Sequence, residues 1–170
     1  MSYSTEHIVN PKVMSLSSEE VERTVAIVER LTEPSSDRFG RLLNWQNPPD
    51  PFWHYGIGLS DTHIFDTGQG LRPFERREAN FVVGIDDIIF EQRQTIERLK
   101  HALYVFSGWE YTLTGWNCEH LGRLIATDQP RCYQSRFLWW MCNLSPEGDH
   151  KTAQQTFQQH LAGVSPHLVR

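Results

Sequence analysis

Cys118 is the side chain whose type and position best suit a reactive nucleophile. A glycine-containing turn at residues 114–117 leads into an apolar helical pattern, so Cys118 is expected in the first turn of a helix. A thiol there faces unpaired backbone N–H groups and the positive end of the helix dipole, which favour the thiolate and lower the thiol pKa. The same N–H groups can donate to an oxyanion on an attacked carbonyl. The alternative is that Cys118 is a small buried apolar residue.

His54 and Asp66 are the side chains that could activate such a thiol. His54 begins a predicted strand whose glycines leave room for another element to approach. If residues 60–62 form a three-residue turn, Asp66 pairs with Gly56 and lies one diagonal step from His54 on the same face. Asp66 would then orient the imidazole while His54 takes the thiol proton. With a two-residue turn Asp66 leaves this face, and His63, which has the opposite parity, becomes the competing third residue.

Both residues also have a purely structural interpretation. In that case His54 is a strand-end histidine, either exposed or satisfied within the core. Asp66 is then a strand-terminal carboxylate that accepts from the backbone of Thr67 or Gly68.

A metal site is the other chemistry that these residue types suggest. The candidate ligands are Cys118, His120, Cys132 and Cys142. They lack the closely paired ligand spacing of structural zinc sites, and residues two apart on a helix do not share a face. We therefore predict no bound metal and no cofactor.

Length and composition indicate one globular domain with its own core. The 170 residues are 39% apolar and 22% charged, which suits a single domain. We place the core at about residues 17–145 and a polar C-terminal tail at residues 146–170. The 16 Lys and Arg against 21 Asp and Glu give a formal net charge of -5, which argues against a nucleic-acid-binding surface.

The sequence has the character of a protein without a membrane anchor or secretory signal. Its longest strongly apolar run, residues 137–142, is far shorter than the roughly 20 residues of a transmembrane helix. Residues 1–14 contain no apolar block of the kind found in secretory signals. An odd count of three cysteines suits a reducing compartment. We therefore expect a cytoplasmic protein without a transmembrane anchor.

The first predicted helix starts at Ser17, which can form a capping box with Glu20. Its apolar residues recur at helical spacing until Pro34 ends the pattern. The proline-rich residues 35–51 that follow are interpreted as a loop with a short turn at residues 41–45.

The second predicted helix is capped by Asp86 or Asp87 and ends near residues 107–108. Arg98 is placed on its outer, charged face. Further helices are predicted at Cys118, at residues 134–143 and, weakly, at residues 152–161 in the tail.

Strand patterns fall between the first two predicted helices. They cover residues 54–59, 63–66 and about 81–85. The first two form a hairpin, and the Cys118 helix is expected to pack on the resulting small antiparallel sheet. The predicted fold class is α+β.

The string Asn117-Cys118-Glu119-His120 resembles the Asn-Cys-Glu-His-Phe signature of the lecithin:retinol acyltransferase family. Members of that family are permuted relatives of the NlpC-like papain-type thiol enzymes, and here the fifth position is Leu121. Residues 54–59 are similar to the family's histidine strand, and Tyr111 stands seven residues before the cysteine. The resemblance covers roughly residues 53–135 and is weakest after the helix.

The resemblance implies a permuted papain-like fold and a thioester mechanism. Cys118 is then the nucleophile, His54 the base and Asp66 the third residue, at a position where the family commonly has a second histidine. Cys118 would attack an ester, amide or thioester carbonyl, and water, an amine or an alcohol would accept the acyl group from sulfur. The residues expected to support the loop, the substrate or the oxyanion are Asn117, Glu119, Tyr55 and Tyr111. The expected partner is an acyl-containing small molecule or a lipid, met in solution or at a membrane surface.

Two alternatives from other functional classes stay open. The first is a peptidase or amidase of the NlpC type, or a deubiquitinase-like permuted thiol protease, although the pair Glu119-His120 favours the acyltransferases. The second is a non-catalytic binding module on the same fold, which would have a thiol of ordinary reactivity.

Overall fold

The computed structural model describes residues 16–68, 71–82, 90–112, 115–134 and 150–169. Over these residues the chain has four α-helices and one five-stranded antiparallel sheet, so the predicted α+β class with a small antiparallel sheet is confirmed. The helices are α1 (Ser18–Leu31), α2 (Gln92–Phe106), α3 (Cys118–Thr127) and α4 (Lys151–Val164), followed by a 3₁₀ turn at Pro166–Leu168. The strands are β1 (Leu42–Gln46), β2 (Trp53–Gly58), β3 (His63–Asp66), β4 (Pro73–Glu75) and β5 (Asn80–Phe81).

Helix α1 begins with the predicted capping box. The Ser17 N–H donates to Glu20 Oε2 at 2.7 Å, and the Glu20 N–H donates to Ser17 Oγ at 3.3 Å. Two backbone donors at the helix start are thereby satisfied. The helix packs on α2 through its buried face, which includes Val21 and Val28.

The sheet has the order β4-β3-β2-β1-β5. In the β2–β3 hairpin Gly56 pairs with Asp66. The Leu59 N–H donates to the His63 carbonyl at 2.9 Å, which closes a three-residue turn. The predicted hairpin register is therefore confirmed. His63 has the opposite parity from Asp66, and its Nδ1 lies 2.9 Å from Thr62 Oγ1.

The two faces of the sheet bury different residues. Tyr55, Ile57 and Phe65 point into the main core. Trp45 and Ile64 belong to a smaller cluster on the other face. Because side chains alternate along a strand, the register places His54 and Asp66 on this second face.

Strand β1 corrects the prediction of a loop at this place. Residues 42–46 pair with both β2 and β5, and the prolines that suggested a loop follow the strand instead of lying within it. The predicted strand at residues 81–85 is represented by β5, which ends at Phe81; residues 83–89, including the suggested caps Asp86 and Asp87, lie outside the described residues.

Helix α2 ends at Phe106, as predicted, but Arg98 is not on an outer face. The Arg98 side chain is fully buried, with Nη2 at 2.6 Å from Asp128 Oδ1. Its guanidinium also donates to the carbonyls of Leu124, Ile125 and Leu168 at 2.6–2.8 Å. The exposed-face prediction was wrong because these acceptors, all distant in sequence, satisfy a buried cation.

Helix α4 confirms the weak helical pattern but packs differently from the expected polar tail. Ala153, Phe157 and Leu161 are fully buried in the main core, and Leu168 follows them. The C-terminal segment from residue 151 is therefore part of the core. The predicted helical stretch at residues 134–143 lies outside the described residues apart from Gln134.

Candidate active site

Cys118 is the first residue of α3, as predicted, and Asn117 is the N-cap. Asn117 Oδ1 accepts from the backbone N–H groups of Glu119 at 3.0 Å and His120 at 3.2 Å. An N-cap oxygen normally satisfies the first orphan donors of a helix in this way. These two N–H groups therefore serve the cap. The prediction that they face the thiol and donate to an oxyanion was wrong.

The thiol lies against the start of β2. Cys118 Sγ is 3.9 Å from the Trp53 carbonyl oxygen and also interacts with the Tyr55 N–H. The Tyr55 carbonyl accepts from the Thr67 N–H at 3.3 Å, so this edge of β2 faces the end of β3. Because the β3 pairing stops at Asp66, Cys118 occupies the part of the β2 edge that β3 leaves open.

Thr67 joins the three elements that meet at this point. Its Oγ1 lies 2.8 Å from the Tyr55 carbonyl oxygen and 2.8 Å from the Cys118 carbonyl oxygen, and the side chain is fully buried. The hydroxyl thus fixes the first residue of α3 relative to β2. Sequence reasoning did not assign Thr67 a place in the site; its position immediately after Asp66 was the available signal.

Gly68 lets Asp66, Tyr111 and Cys118 converge. A Cβ atom at Gly68 would lie 3.0 Å from Asp66 Oδ1, 3.2 Å from Cys118 Cβ and 3.7 Å from Tyr111 Oη. The Tyr111 hydroxyl interacts with both the thiol and the backbone N–H of Cys118. Two of the predicted site residues, Asp66 and Tyr111, are therefore brought to the sulfur.

The environment of the sulfur corrects the expected direction of its pKa shift. Burial, and after it the negative charge of Asp66, raise the pKa of Cys118 to about 12, against the Tyr55 N–H and the Tyr111 hydroxyl, which lower it. The helix N-terminus does not reverse this effect, because the donors of Glu119 and His120 are turned to Asn117. Cys118 therefore rests as a neutral thiol near neutral pH.

Asp66 interacts electrostatically with both members of the predicted catalytic pair, Cys118 and His54. Its Oδ1 accepts from the Gly68 N–H at 2.7 Å. This is the bond that the purely structural interpretation of Asp66 predicted. Burial raises the pKa of Asp66, while the Gly68 N–H, His54 and Arg72 act against that rise. The carboxylate thus lies within electrostatic range of both the thiol and the imidazole.

The His54 ring is held by a different carboxylate from the predicted one. Its Nε2 lies 3.0 Å from Asp50 Oδ2, and the ring stacks on Trp45 with centroids 5.8 Å apart. Among the residues that the structure describes, no hydrogen bond joins His54 to Asp66 or to Cys118.

Glu119 is fully buried and turned to the segment after α3. Its Oε1 accepts from Arg123 Nε at 3.0 Å, and its Oε2 lies 3.3 Å from both Cys132 Sγ and the Gln134 backbone nitrogen. Arg123 also lies 5.7 Å from the Tyr55 ring centroid. Tyr55 thus meets the thiol through its backbone, whereas its phenol belongs to this buried network, where burial raises its pKa.

Gln134 is a second residue that sequence reasoning missed. Its Oε1 accepts from the Trp53 N–H at 2.7 Å, and its Nε2 donates to the Trp53 carbonyl at 2.9 Å. The Gln134 side-chain amide therefore makes with Trp53 the two backbone hydrogen bonds that a neighbouring strand would make. The contact spans 81 positions, so no local pattern of residues indicates it.

Comparisons with protein-family models, with curated proteins and with solved structures find no match to this chain. The resemblance seen around Cys118 thus stands on the residues of this sequence.

The described residues offer neither a metal site nor a membrane-spanning helix. Within the described ranges, no group of three or more His, Cys, Asp or Glu side chains is arranged to hold a metal ion. None of the described helices has the length and apolar character needed to cross a membrane.

Proposed function

We propose that this protein is a thiol enzyme that transfers or hydrolyses acyl groups through an acyl-Cys118 intermediate. The observation that carries the proposal is the shared neighbourhood of three side chains. Asp66 interacts electrostatically with both the Cys118 thiol and the His54 imidazole, and the thiol lies against the backbone on either side of His54. The motif around Cys118 supports the same function, and with it a permuted papain-like fold.

In the proposed reaction His54 removes the Cys118 proton as the sulfur attacks the substrate carbonyl. A general base is needed at this moment because the resting thiol is neutral. The imidazolium then protonates the leaving alcohol, amine or thiol, and a thioester remains on sulfur. His54 next deprotonates water, an amine or an alcohol, and this acceptor attacks the thioester carbonyl. The C–S bond breaks with its electron pair on the sulfur, and the His54 imidazolium returns the proton to Cys118.

The oxyanion of each tetrahedral intermediate needs donors other than the capped N–H groups of α3. The Tyr111 hydroxyl and the Cys118 N–H lie together beside the sulfur. Donors placed where charge develops contribute about 10²–10³ in rate each. We assign Tyr111 this role, whereas Asn117 and Glu119 support the loops on either side of α3.

The proposed substrates are acyl-containing small molecules or lipids, in the cytoplasm or at a membrane surface. The test is intact-mass spectrometry after incubation with p-nitrophenyl esters, acyl-CoA thioesters and acylated peptides. We expect an acyl adduct on the wild type that neutral hydroxylamine removes, and none on Cys118→Ala. The matched control Cys132→Ala retains Cys118 and should keep the adduct. An adduct that persists in Cys118→Ala would refute the proposal.

One observation favours a second function, a non-catalytic binding module. Cys118 is only 4% exposed, and its raised pKa is what a buried structural thiol would have. In such a module no acyl donor would mark Cys118, and substitution by alanine would leave ligand binding intact. Marking by acylated peptides alone would instead indicate a peptidase or amidase.

A further inference from the structure

We propose that Asp50, and not Asp66, is the positioning residue for the His54 imidazole, and that its hydrogen bond to Nε2 leaves Nδ1 as the basic ring nitrogen. The inference rests on the proposed acyl transfer. It gives different roles to two carboxylates, of which the sequence suggested only Asp66: Asp50 orients the base, and Asp66 lies beside the nucleophile.

The carboxylate of Asp50 is fixed on both of its oxygens. Oδ1 accepts from the Phe52 N–H at 2.9 Å, and Oδ2 lies 3.0 Å from His54 Nε2. The Asp50 N–H in turn donates to the Asn47 carbonyl at 2.8 Å. The turn that leads into β2 therefore fixes the Asp50 carboxylate through backbone hydrogen bonds, and the carboxylate in turn fixes the His54 ring.

The bond to Asp50 determines which ring nitrogen is basic. An ionised carboxylate only accepts hydrogen bonds, so the neutral imidazole must carry its proton on Nε2. Nδ1 is then the lone-pair nitrogen. Stacking on Trp45, which is only 3% exposed, restrains the plane of the ring as well. Tautomer and orientation are both determined without Asp66.

Asp66 has other partners and a different neighbourhood. Its Oδ1 is occupied by the Gly68 N–H and borders the same point as Cys118 Cβ and Tyr111 Oη. Removing this carboxylate changes the electrostatic field at the sulfur but leaves the hydrogen bond on His54 Nε2 intact. The two aspartates should therefore have separable effects.

The decisive measurement is the tautomer of His54, read from long-range ¹H–¹⁵N correlation spectra of ¹⁵N-histidine-labelled protein. We expect the Nε2–H pattern alone in the wild type and in Asp66→Ala, and a mixture of the Nε2–H and Nδ1–H patterns in Asp50→Ala, because an unrestrained neutral imidazole populates both tautomers. Asp50→Asn has one amide oxygen for two donors, the Phe52 N–H and His54 Nε2–H, so it should restore the pattern in part. An unchanged pattern in Asp50→Ala would overturn the inference whatever the activity.

Kinetics supply the second readout. With the p-nitrophenyl ester that acylates Cys118, Asp50→Ala should lower kcat by roughly 10²-fold with little change in KM. This is less than the loss of about 10⁴ produced at a buried orienting aspartate, because the Asp50 and His54 side chains are 36% and 30% exposed. Asp37→Ala, which removes an exposed carboxylate outside the site, is the matched control and should keep the wild-type rate.

The outcomes separate this inference from the proposed function. A tautomer change in Asp50→Ala together with no acylation of the wild type by any donor would refute acyl transfer and support the positioning of His54 by Asp50. Acylation of Cys118 with an unaltered tautomer and unaltered kcat in Asp50→Ala would support acyl transfer and refute the role of Asp50. Circular dichroism melts confirm that each variant is folded.

Discussion

The two ends of α3 bury polar groups in opposite ways. At the C-terminal end Arg98 meets the Asp128 carboxylate and three backbone carbonyls, all between 2.6 and 2.8 Å. At the N-terminal end the Cys118 thiol reaches the Trp53 carbonyl oxygen at only 3.9 Å and has the Asp66 carboxylate beside it. The first end stabilises a buried charge, whereas the second disfavours the charged form of its buried thiol.

Within one ten-residue helix, the C-terminal end therefore contributes stability and the N-terminal end carries the reactive group. The Arg98–Asp128 pair connects α2, α3 and the 3₁₀ turn, and Gln154 of α4 donates to the Asp128 carbonyl at 2.8 Å. A rigid C-terminal end fixes the helix axis and with it the position of Cys118. The N-terminal end can then hold a group whose charged form is unfavourable in the resting protein.

The largest effect is expected from breaking the Arg98–Asp128 pair. Arg98→Ala should lower the free energy of unfolding by about 3–5 kcal/mol, because it leaves Asp128 buried without its cation. Urea unfolding followed by circular dichroism measures this. Arg23→Ala, which removes an exposed ion pair with Glu19 on α1, is the control and should change stability little. Similar losses in the two variants would contradict the comparison.

A smaller loss is expected where β2, β3 and α3 meet. Thr67→Val keeps the shape of the side chain but removes the hydroxyl that contacts the Tyr55 and Cys118 carbonyls. The Tyr55 carbonyl still accepts from the Thr67 N–H, so the variant loses the one hydrogen bond that the hydroxyl can donate. This costs about 0.5–1.5 kcal/mol, and the midpoint of urea unfolding should fall accordingly. Thr67→Ser retains the hydroxyl and should lose less. If the serine variant is as unstable as the valine variant, methyl packing, and not the hydrogen bonds, holds this junction.

The elements that could be predicted from sequence depend on near neighbours. The Ser17–Glu20 capping box spans three positions, and the hairpin register follows from a short turn and alternation. The start of α3 could likewise be predicted from the turn at residues 114–117 and the apolar pattern after it. Strand β1 was missed because the prolines that follow it outweighed its short alternating pattern.

The parts of the site that escaped prediction depend on contacts between distant segments. Arg98 looked solvent-exposed because its acceptors belong to α3 and to the C-terminus. The direction of the Cys118 pKa shift depends on where the Asn117 side chain points and on how deeply the sulfur is buried. The partner of His54 could not be chosen from the register, since Asp66 has the right parity but a nearer donor in Gly68.

The pH dependence of stability tests whether the N-terminal end of α3 holds a neutral thiol. The pKa of Cys118 is about 12 in the folded protein, against an ordinary value of 9.0. Between these values the folded state keeps a proton that the unfolded state loses, so the free energy of unfolding falls as pH rises. The slope contributed by one such group is at most about 1.4 kcal/mol per pH unit.

Cys118→Ala should therefore flatten the loss of stability between pH 9 and 11, while both states remain protonated at this residue below that range. Urea unfolding at pH 7.5 and pH 10 measures the difference. Leu121→Ala on the same helix removes core packing without removing a titrating group, and it should keep the wild-type pH slope. An equal slope in Cys118→Ala and the wild type would show that the thiol does not resist ionisation.

The smallest expected effect concerns the charge beside the sulfur. Asp66→Asn removes the negative charge that helps to raise the pKa of Cys118, so the thiolate fraction at pH 8 should increase. Alkylation of Cys118 by iodoacetamide, followed by peptide mass mapping, should accelerate about 3–10-fold, since one pKa unit corresponds to a tenfold change in thiolate. Asp50→Asn removes a charge that faces the imidazole instead and should not accelerate the reaction. An equal increase in both variants would mean that the two carboxylates act on the sulfur alike, and the division of roles between them would fail.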